Sequence, residues 1–227
     1  MKKILILNTG SSLKQVVKKF GQSTDWIMNS FPDNQVEFKI VDVYKGEKFK
    51  VSEGDAWIIT GSSDSVYENK PWMLNLEKLI YKRYKLNKKI LGICFGHQIV
   101  AQALGGKVIK NPQGWELGSR TVFLTQAGKE SQYFKNINCK AIVYESHQDV
   151  VIDVPDNSIE LAYNDMGNQA FLIDEHIIGL QFHPEFSFDV IKEYALIRTN
   201  LGVKVDNLSL IESDSGKIFF KNYYANL

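Results

Sequence analysis

A cysteine flanked by small residues is the feature of this sequence with the most obvious chemical potential. Cys94 lies in Gly92-Ile93-Cys94-Phe95-Gly96, between an apolar run and a segment with helical periodicity. Small residues around a nucleophile are typical of a sharp strand-to-helix turn, which we expect to expose the thiol to solvent. Backbone amides at the start of the following helix favour a thiolate and can bind a developing oxyanion. We therefore predict that Cys94 is a nucleophile.

A histidine and a glutamate two residues apart supply the base that such a nucleophile needs. His183-Pro184-Glu185 ends the apolar run 177–182. In an extended backbone, residues two apart point to the same side, and Pro184 disfavours a helix there. The carboxylate can fix the imidazole tautomer while the imidazole accepts the thiol proton. Free cysteine is more commonly a small buried residue, but the presence of both motifs favours a triad of Cys94, His183 and Glu185.

Strand and helix patterns alternate around the first motif. Apolar β-branched runs predict strands over 3–7, 36–43, 56–60 and 89–94, and amphipathic segments predict helices over 13–20, 71–84 and 96–104. This alternation indicates a parallel sheet covered by helices.

The middle of the chain consists of strands separated by short turns. These strands are predicted over 107–109, 120–124, 141–145, 158–163, 169–174 and 177–182, and their spacing favours hairpins and mixed directions. Helices follow over 188–201 and after the capping pair Ser213-Asp214, with a short piece at 206–211. The predicted fold class is α/β, with an open, mixed, mostly parallel sheet, helices on both faces and a smaller antiparallel sheet. We expect one domain over 1–227, with a C-terminal helical extension from about 187.

The composition is that of an ordinary globular protein. The 227 residues are 44% hydrophobic and 23% charged, with a net charge of +1, which gives no electrostatic reason to expect nucleic acid or a membrane as a partner. No apolar stretch approaches a membrane span, and two cysteines make no disulfide framework. We therefore predict a cytoplasmic protein in which Cys139 is structural. Four histidines without metal-ligand spacing, and no phosphate-loop or dinucleotide motif, predict neither a metal nor a cofactor.

The cysteine turn, the His-Pro-Glu segment and the order Cys, His, Glu give the sequence a family resemblance. Over most of its length it resembles the class I (triad) glutamine amidotransferases, in particular stand-alone GMP-synthase-like amidotransferase domains and the related γ-glutamyl peptidases. The resemblance implies a flavodoxin-like fold. It also implies that Cys94 attacks the side-chain amide carbon of glutamine, that His183 is general base and then acid, and that Glu185 orients it. Ammonia would leave, and water would release glutamate from a γ-glutamyl thioester.

A second segment resembles the family's oxyanion-hole loop. In Ile58 to Tyr67, the resemblance makes the backbone amides of Gly61 and Ser62, with that of Phe95, the expected donors. Small residues at the end of a strand do leave N–H groups exposed. This sequence has Gly-Ser-Ser where many relatives have Gly-Gly-Pro, and an ordinary turn is the alternative.

Further resemblances concern substrate binding. Gln98 matches a residue that contacts the substrate, although it could equally cap the helix or face solvent. The segment Asn111 to Gly118 corresponds to a loop that binds the amino-acid part of glutamine, with Glu116 as partner for the ammonium and Leu117 and Gly118 beside it. His147, in Ser-His-Gln-Asp, corresponds to a residue near the active site, and a structural histidine bonded to backbone is the alternative.

Three functions follow from these resemblances. The first is release of ammonia from glutamine for a synthetase on a separate chain. The second is stand-alone hydrolysis of γ-glutamyl compounds, and the third is a non-catalytic binding or regulatory subunit. An α/β-hydrolase is disfavoured because its acid precedes its histidine. The sequence leaves the γ-glutamyl donor, the ammonia acceptor and the formation of a homo-oligomer open.

Overall fold

Alternating apolar residues place the first strand at the centre of a large sheet. Ile4 and Ile6 pack into one hydrophobic cluster while Leu5 and Leu7 pack into another on the opposite face. All four side chains are fully buried, and each such burial contributes about 2 kcal/mol. A strand that is apolar on both faces must be covered by helices on both, as the sequence predicts.

The computed structural model describes residues 1–32, 35–205 and 207–227. The strands of its first part are β1 (Lys2–Asn8), β2 (Val36–Asp42), β3 (Ala56–Ile59) and β4 (Lys89–Ile93). The helices between them are α1 (Lys14–Phe20), α2 (Ser23–Asn29), α3 (Pro71–Lys85) and α4 (Phe95–Ala103). All of these except α2 match the sequence prediction.

The second part contains the remaining strands and three helices. The strands are β5 (Lys107–Lys110), β6 (Glu116–Leu124), β7 (Lys140–His147), β8 (Asp149–Asp153), β9 (Ser158–Asn164), β10 (Gly167–Ile173) and β11 (Ile177–Leu180). The helices are α5 (Gln126–Glu130), α6 (Phe188–Asn200) and α7 (Ser215–Ala225). β8 and α5 were not predicted. The predicted piece at 206–211 begins outside the described residues, and 207–211 form no helix or strand.

The described strands form a nine-stranded sheet in the order β2-β1-β3-β4-β11-β10-β9-β6-β7, and β5 pairs with β8 in a separate antiparallel sheet. The strands from β2 to β11 run parallel, and those from β11 to β7 run antiparallel. Helices α3 and α4 pack on one face, and α7 packs on the other through Phe219, Phe220 and Tyr223. The predicted fold class is confirmed.

β6 begins earlier than the sequence suggests. The prediction started it at residue 120, but the ladder with β7 already pairs Glu116 with His147 and Gly118 with Glu145. A later segment runs beside it, with the Ser119 amide donating to the Ser209 carbonyl at 2.7 Å.

None of the helices in the described ranges is long and apolar enough to cross a bilayer.

Candidate active site

The turn after β4 holds Cys94 in a conformation that few non-glycine residues adopt. Its φ is 53° and its ψ is −104°, so the chain reverses sharply between the strand and α4. The flanking glycines are required, because a Cβ at Gly92 would lie 2.4 Å from the Gly96 carbonyl oxygen and one at Gly96 would lie 2.3 Å from that of Ile59. The expectation of a freely exposed thiol is wrong: Cys94 is 5% exposed and is reached through a cavity.

Two neighbouring strands bring the cysteine and the histidine together. β4 and β11 are parallel and pair Ile93 with Leu180, and the Cys94 amide donates to the Leu180 carbonyl at 2.8 Å. Cys94 and His183 therefore leave the same edge of the sheet. The two side chains face the same space beside Gly61, because a Cβ there would lie 3.1 Å from the imidazole and 4.0 Å from the sulfur. Only a glycine leaves this approach open.

Glu185 orients the imidazole. The Glu185 Oε1 atom lies 2.8 Å from His183 Nδ1, so Nδ1–H donates to the carboxylate and Nε2 remains for the sulfur. The ring is also stacked on Phe186, with centroids 4.0 Å apart, and the His183 amide donates to the Tyr144 carbonyl at 2.9 Å. These contacts fix the ring in position and in tautomer.

The electrostatics of the pair favour an imidazolium. Burial opposes the charge, but Glu185 and Cys94 outweigh burial and raise the pKa of His183 to about 10. A proton taken from the thiol is therefore held firmly by the ring. The arrangement can generate a thiolate and later return the proton to a leaving group.

Two of the three residues whose amides are expected in the oxyanion hole line the cavity of Cys94, and the third follows Cys94 directly in the chain. Gly61 and Ser62 line the same cavity as Cys94, and Phe95 begins α4. None of the three N–H groups donates to another group within the described ranges. Thr9, at the end of β1, fixes this loop, because its hydroxyl donates to the Gly61 carbonyl at 2.9 Å and its carbonyl accepts from the Ser62 hydroxyl at 3.1 Å.

Two cavities meet at Cys94. The first, which we call the triad cavity, also contains His183, Glu185 and Tyr194. The second, which we call the Trp115 cavity, has a volume of about 100 Å³ and is lined by Gln98, Trp115 and the polar end of β7. Residues 62, 63, 94, 146 and 198 line both. A substrate whose scissile bond lies at Cys94 would therefore extend one part into each cavity.

The family model for glutamine amidotransferase class-I matches residues 15–199. The chain belongs to the class I glutamine amidotransferase family. It is 30% identical over 205 residues to γ-glutamyl peptidase 5 of Arabidopsis thaliana, covering 88% of this chain and 79% of that protein.

Other relatives are matched over different portions of their own length. γ-Glutamyl peptidase 4 of A. thaliana is 33% identical over 68% of this chain, which spans 62% of that protein. The GMP synthase of Helicobacter pylori is 28% identical over 98% of this chain, which spans 38% of that protein. Among solved structures, a glutamine amido transferase from Methylobacillus flagellatus has the same fold, with a TM-score of 0.79 at 17% identity, and the match covers 100% of this chain and 96% of that one.

Gln98 lies at the Trp115 cavity of this amidotransferase-family chain. Its side-chain amide donates to the Asp149 carbonyl at 3.2 Å and to the Gln181 side chain at 3.1 Å. No described group donates to its side-chain oxygen. Gln98 is therefore neither a helix cap nor a solvated side chain, and its oxygen is available to a ligand.

Glu116 is placed differently from the expectation that it receives a substrate ammonium. It is fully buried in β6 and accepts hydrogen bonds from His147, Asn164 and Gln169. It does not line either cavity. Leu117 and Gly118 also belong to β6 rather than to a binding loop. Leu117 is fully buried, and a Cβ at Gly118 would lie 2.6 Å from the Ser209 carbonyl oxygen. These three positions were misassigned because strand pairing with β7 continues to residue 116.

His147 joins Glu116 and Glu145 in a buried cluster beside the Trp115 cavity. Its Nε2 atom lies 3.0 Å from Glu116 and 3.2 Å from Glu145. Burial opposes a charge, but the two carboxylates raise the pKa of His147 well above its ordinary value. Burial, helped by the charge of Glu116, raises the pKa of Glu145 to about 7. His147 is thus mainly an ion-paired structural residue, although one edge of it reaches the cavity.

The same cluster has the spacing of metal ligands, since one atom from each residue lies within 4.8 Å of the others. His147 Nδ1 lies 3.0 Å from the Asp149 carbonyl and so carries a proton. A second proton on Nε2 accounts for the contact with Glu116. We therefore interpret the cluster as an imidazolium paired with the Glu116 carboxylate and flanked by the Glu145 carboxyl group, and no metal is assigned to it.

The roles of three residues at the site escaped the sequence reasoning. Tyr194 and Arg198 lie four residues apart on α6 and line the triad cavity, and Asp149 accepts hydrogen bonds from the Ser65 and Tyr67 hydroxyls at 2.6 and 2.9 Å. A tyrosine and an arginine on the inward face of the helix that follows His-Pro-Glu were a usable signal. Asp149 belongs to the Ser-His-Gln-Asp segment that resembles one near the family's active site, but its contacts gave no local signal because its partners are more than 80 residues away in sequence.

Proposed function

We propose that this chain hydrolyses the γ-glutamyl amide of glutamine through a thioester at Cys94 and supplies the ammonia to a synthetase on a separate chain. The observation that carries the proposal is the meeting of Cys94 with the His183–Glu185 pair beside unpaired backbone amides. The class I amidotransferase family of the chain supports it.

Each residue has a definite part in the proposed reaction. The Cys94 thiol gives its proton to His183 Nε2, and the sulfur attacks the amide carbon. The amides of Gly61, Ser62 and Phe95 stabilise the oxyanion. His183 then returns the proton to the leaving nitrogen, so that ammonia departs and a γ-glutamyl thioester remains. His183 next takes a proton from the water that attacks the thioester and returns this proton to the departing Cys94 sulfur, so that glutamate and the free thiol are released.

The synthetase partner belongs to the proposal. Its support is that nearly the whole chain matches a part of GMP synthase [glutamine-hydrolyzing] that makes up 38% of that protein. The cytoplasmic location and the assignment of the chain as one domain also stay predictions.

A second candidate, stand-alone hydrolysis of γ-glutamyl compounds, is favoured by a different observation. γ-Glutamyl peptidase 5 is matched over 79% of its length at 30% identity, and the same thioester chemistry serves both reactions. The two candidates differ in the leaving group, which is ammonia in one and the amino group of a peptide or conjugate in the other.

One panel separates these candidates. Glutamate release is measured from glutamine and from several γ-glutamyl dipeptides, with wild type beside Cys94→Ala and, as a matched control, Cys139→Ala, which alters an exposed free cysteine. Turnover of the dipeptides by the chain alone supports the hydrolase. Turnover of glutamine that rises when a synthetase is added supports amidotransfer.

Two outcomes contradict the chemistry itself. Activity that survives in Cys94→Ala excludes the proposed nucleophile. A wild-type thiol that does not react with a diazo-ketone analogue of glutamine supports a non-catalytic binding or regulatory subunit instead.

A further inference from the structure

We infer that Arg198 binds the α-carboxylate of the γ-glutamyl donor and makes this site selective for donors whose α-carboxylate is free. This inference rests on the proposed function, because it concerns the substrate of that same site. Arg198 lies near the end of α6 and lines both cavities that meet at Cys94.

The guanidinium has no anionic partner within the described ranges of the chain. Its Nε–H is buried and donates to no group there, and no carboxylate lies within ion-pair distance of the guanidinium. The guanidinium lies over the ring of Trp115, whose centroid is 4.6 Å from the guanidinium carbon. Stacking on an indole fixes the plane of an arginine and leaves its N–H edge free for a bidentate anion.

The carboxylates of the same cavity already have partners. Asp64 forms an ion pair with Lys70 at 2.8 Å, and Asp149 accepts from Ser65 and Tyr67. His147 is held by the glutamates of the buried cluster. Arg198 is therefore the cation of the Trp115 cavity that is available to a ligand.

The chemistry of the donor fits this position. A γ-glutamyl compound carries an α-carboxylate four bonds from the carbonyl that Cys94 would attack, a span of about 5 Å when extended. A planar guanidinium matches a carboxylate with two parallel hydrogen bonds. Because Arg198 and Cys94 line the same two cavities, one donor can place its carbonyl at the sulfur and its carboxylate at the guanidinium.

The test uses covalent labelling, which requires no partner chain. The rate at which Cys94 is labelled is measured by mass spectrometry with a diazo-ketone analogue of glutamine and with the same analogue as its α-carboxamide. Chloroacetamide, which has no carboxylate, reports the intrinsic reactivity of the thiol. The variants are Arg198→Met and Arg198→Lys, with Lys192→Met as control because Lys192 is an exposed cation on the same helix that pairs with Asp189.

We expect wild type and Lys192→Met to label faster with the free carboxylate than with the α-carboxamide, by on the order of 100-fold. Arg198→Met should abolish this preference, and Arg198→Lys should retain part of it because a lysine keeps the charge without the planar fork. The ratio of the two probes is the readout, so a general change in folding or thiol reactivity does not move it.

Two results are to be distinguished. If wild type labels equally with both probes, or if Arg198→Met keeps the preference, the role of Arg198 is refuted while the thioester chemistry stands. If neither probe labels wild type although chloroacetamide does, the proposed γ-glutamyl chemistry fails, and the inference fails with it.

Discussion

Replacing Glu185 by glutamine tests the central electrostatic argument of the site. Glutamine has nearly the same shape, and its side-chain oxygen can still accept from His183 Nδ1–H, so the substitution removes the charge and preserves the hydrogen bond. The charge is what matters here, because Glu185 is the first of the groups that offset the burial of His183. We expect Glu185→Gln to fold and to be a poor catalyst.

The size of the effect follows from the pKa of His183. The pKa rises from 6.5 to about 10, a difference worth about 5 kcal/mol at 1.36 kcal/mol per pKa unit. An adjacent opposite charge typically shifts a pKa by about 1–3 units, so removing the charge of Glu185 should cost roughly 2–3 kcal/mol of this stabilisation. A loss of that size corresponds to roughly 30- to 150-fold in the population of the thiolate–imidazolium pair at neutral pH.

The assay is alkylation of Cys94 by chloroacetamide between pH 5 and 10, followed by mass spectrometry. Glu185→Gln should react more slowly than wild type at pH 7 and approach it at alkaline pH. Glu193→Gln is the matched control, since Glu193 lies on α6 and pairs with Lys19 outside both cavities. Equal rates and equal pH profiles in wild type and Glu185→Gln would show that the carboxylate does not support the imidazolium.

Three further predictions concern groups around the site. Glu145 has a pKa raised from 4.5 to about 7, so the stabilisation that its protonated form provides is lost as the pH rises through that window. Between pH 5 and 8, wild type should therefore lose up to about 3 kcal/mol of unfolding free energy relative to Glu145→Gln, as measured by urea unfolding. Gly96→Ala places a Cβ against the Ile59 carbonyl and should destabilise the fold by about 2 kcal/mol and slow Cys94 alkylation. Asp149→Asn weakens the hydrogen bond from Tyr67 and should lower kcat roughly tenfold with a smaller change in KM, in steady-state glutamate release.

Each of these predictions has an outcome that contradicts it. A stability difference for Glu145→Gln that does not vary with pH would mean that the carboxyl does not titrate there. A fully stable Gly96→Ala protein with normal thiol reactivity would show that the turn tolerates a side chain. A change confined to KM in Asp149→Asn would mean that Asp149 contacts the substrate instead of holding the loop.

The sequence predicted the parts of the fold that depend on strong local patterns. Ile4 to Leu7 is apolar at every position, and Pro71 and Ser213-Asp214 mark helix starts, so the corresponding elements were found. α2 was missed because its seven residues are largely polar, and its capping box uses Gln22 and Asp25, a pair outside the common pattern. β8 was missed because it pairs only with the short β5.

The residues of the site divide in the same way. Cys94, His183 and Glu185 were recognisable because their local spacing already implies a turn and a strand end. Glu116 was misplaced because its surroundings are set by pairing with His147 across two strands, which no local pattern reveals. The contact of Arg198 with Trp115 could not be predicted, because the two residues are 83 positions apart and contacts at such separation are set by tertiary packing.

The neighbouring strands that carry Cys94 and His183 also bear on how such a protein can change in evolution. The spacing of sulfur and imidazole is fixed by main-chain hydrogen bonds between β4 and β11, and it does not depend on the segments that form the cavity walls. Those segments can change in length or in sequence, and the protein can thereby accept a new acyl donor, without separating the reacting atoms. Inserting a single amino acid into either strand would displace one reacting group by about 3.3 Å and stop the chemistry. We therefore expect changes of substrate specificity to arise in the segments that form the cavity walls, while β4 and β11 keep their lengths.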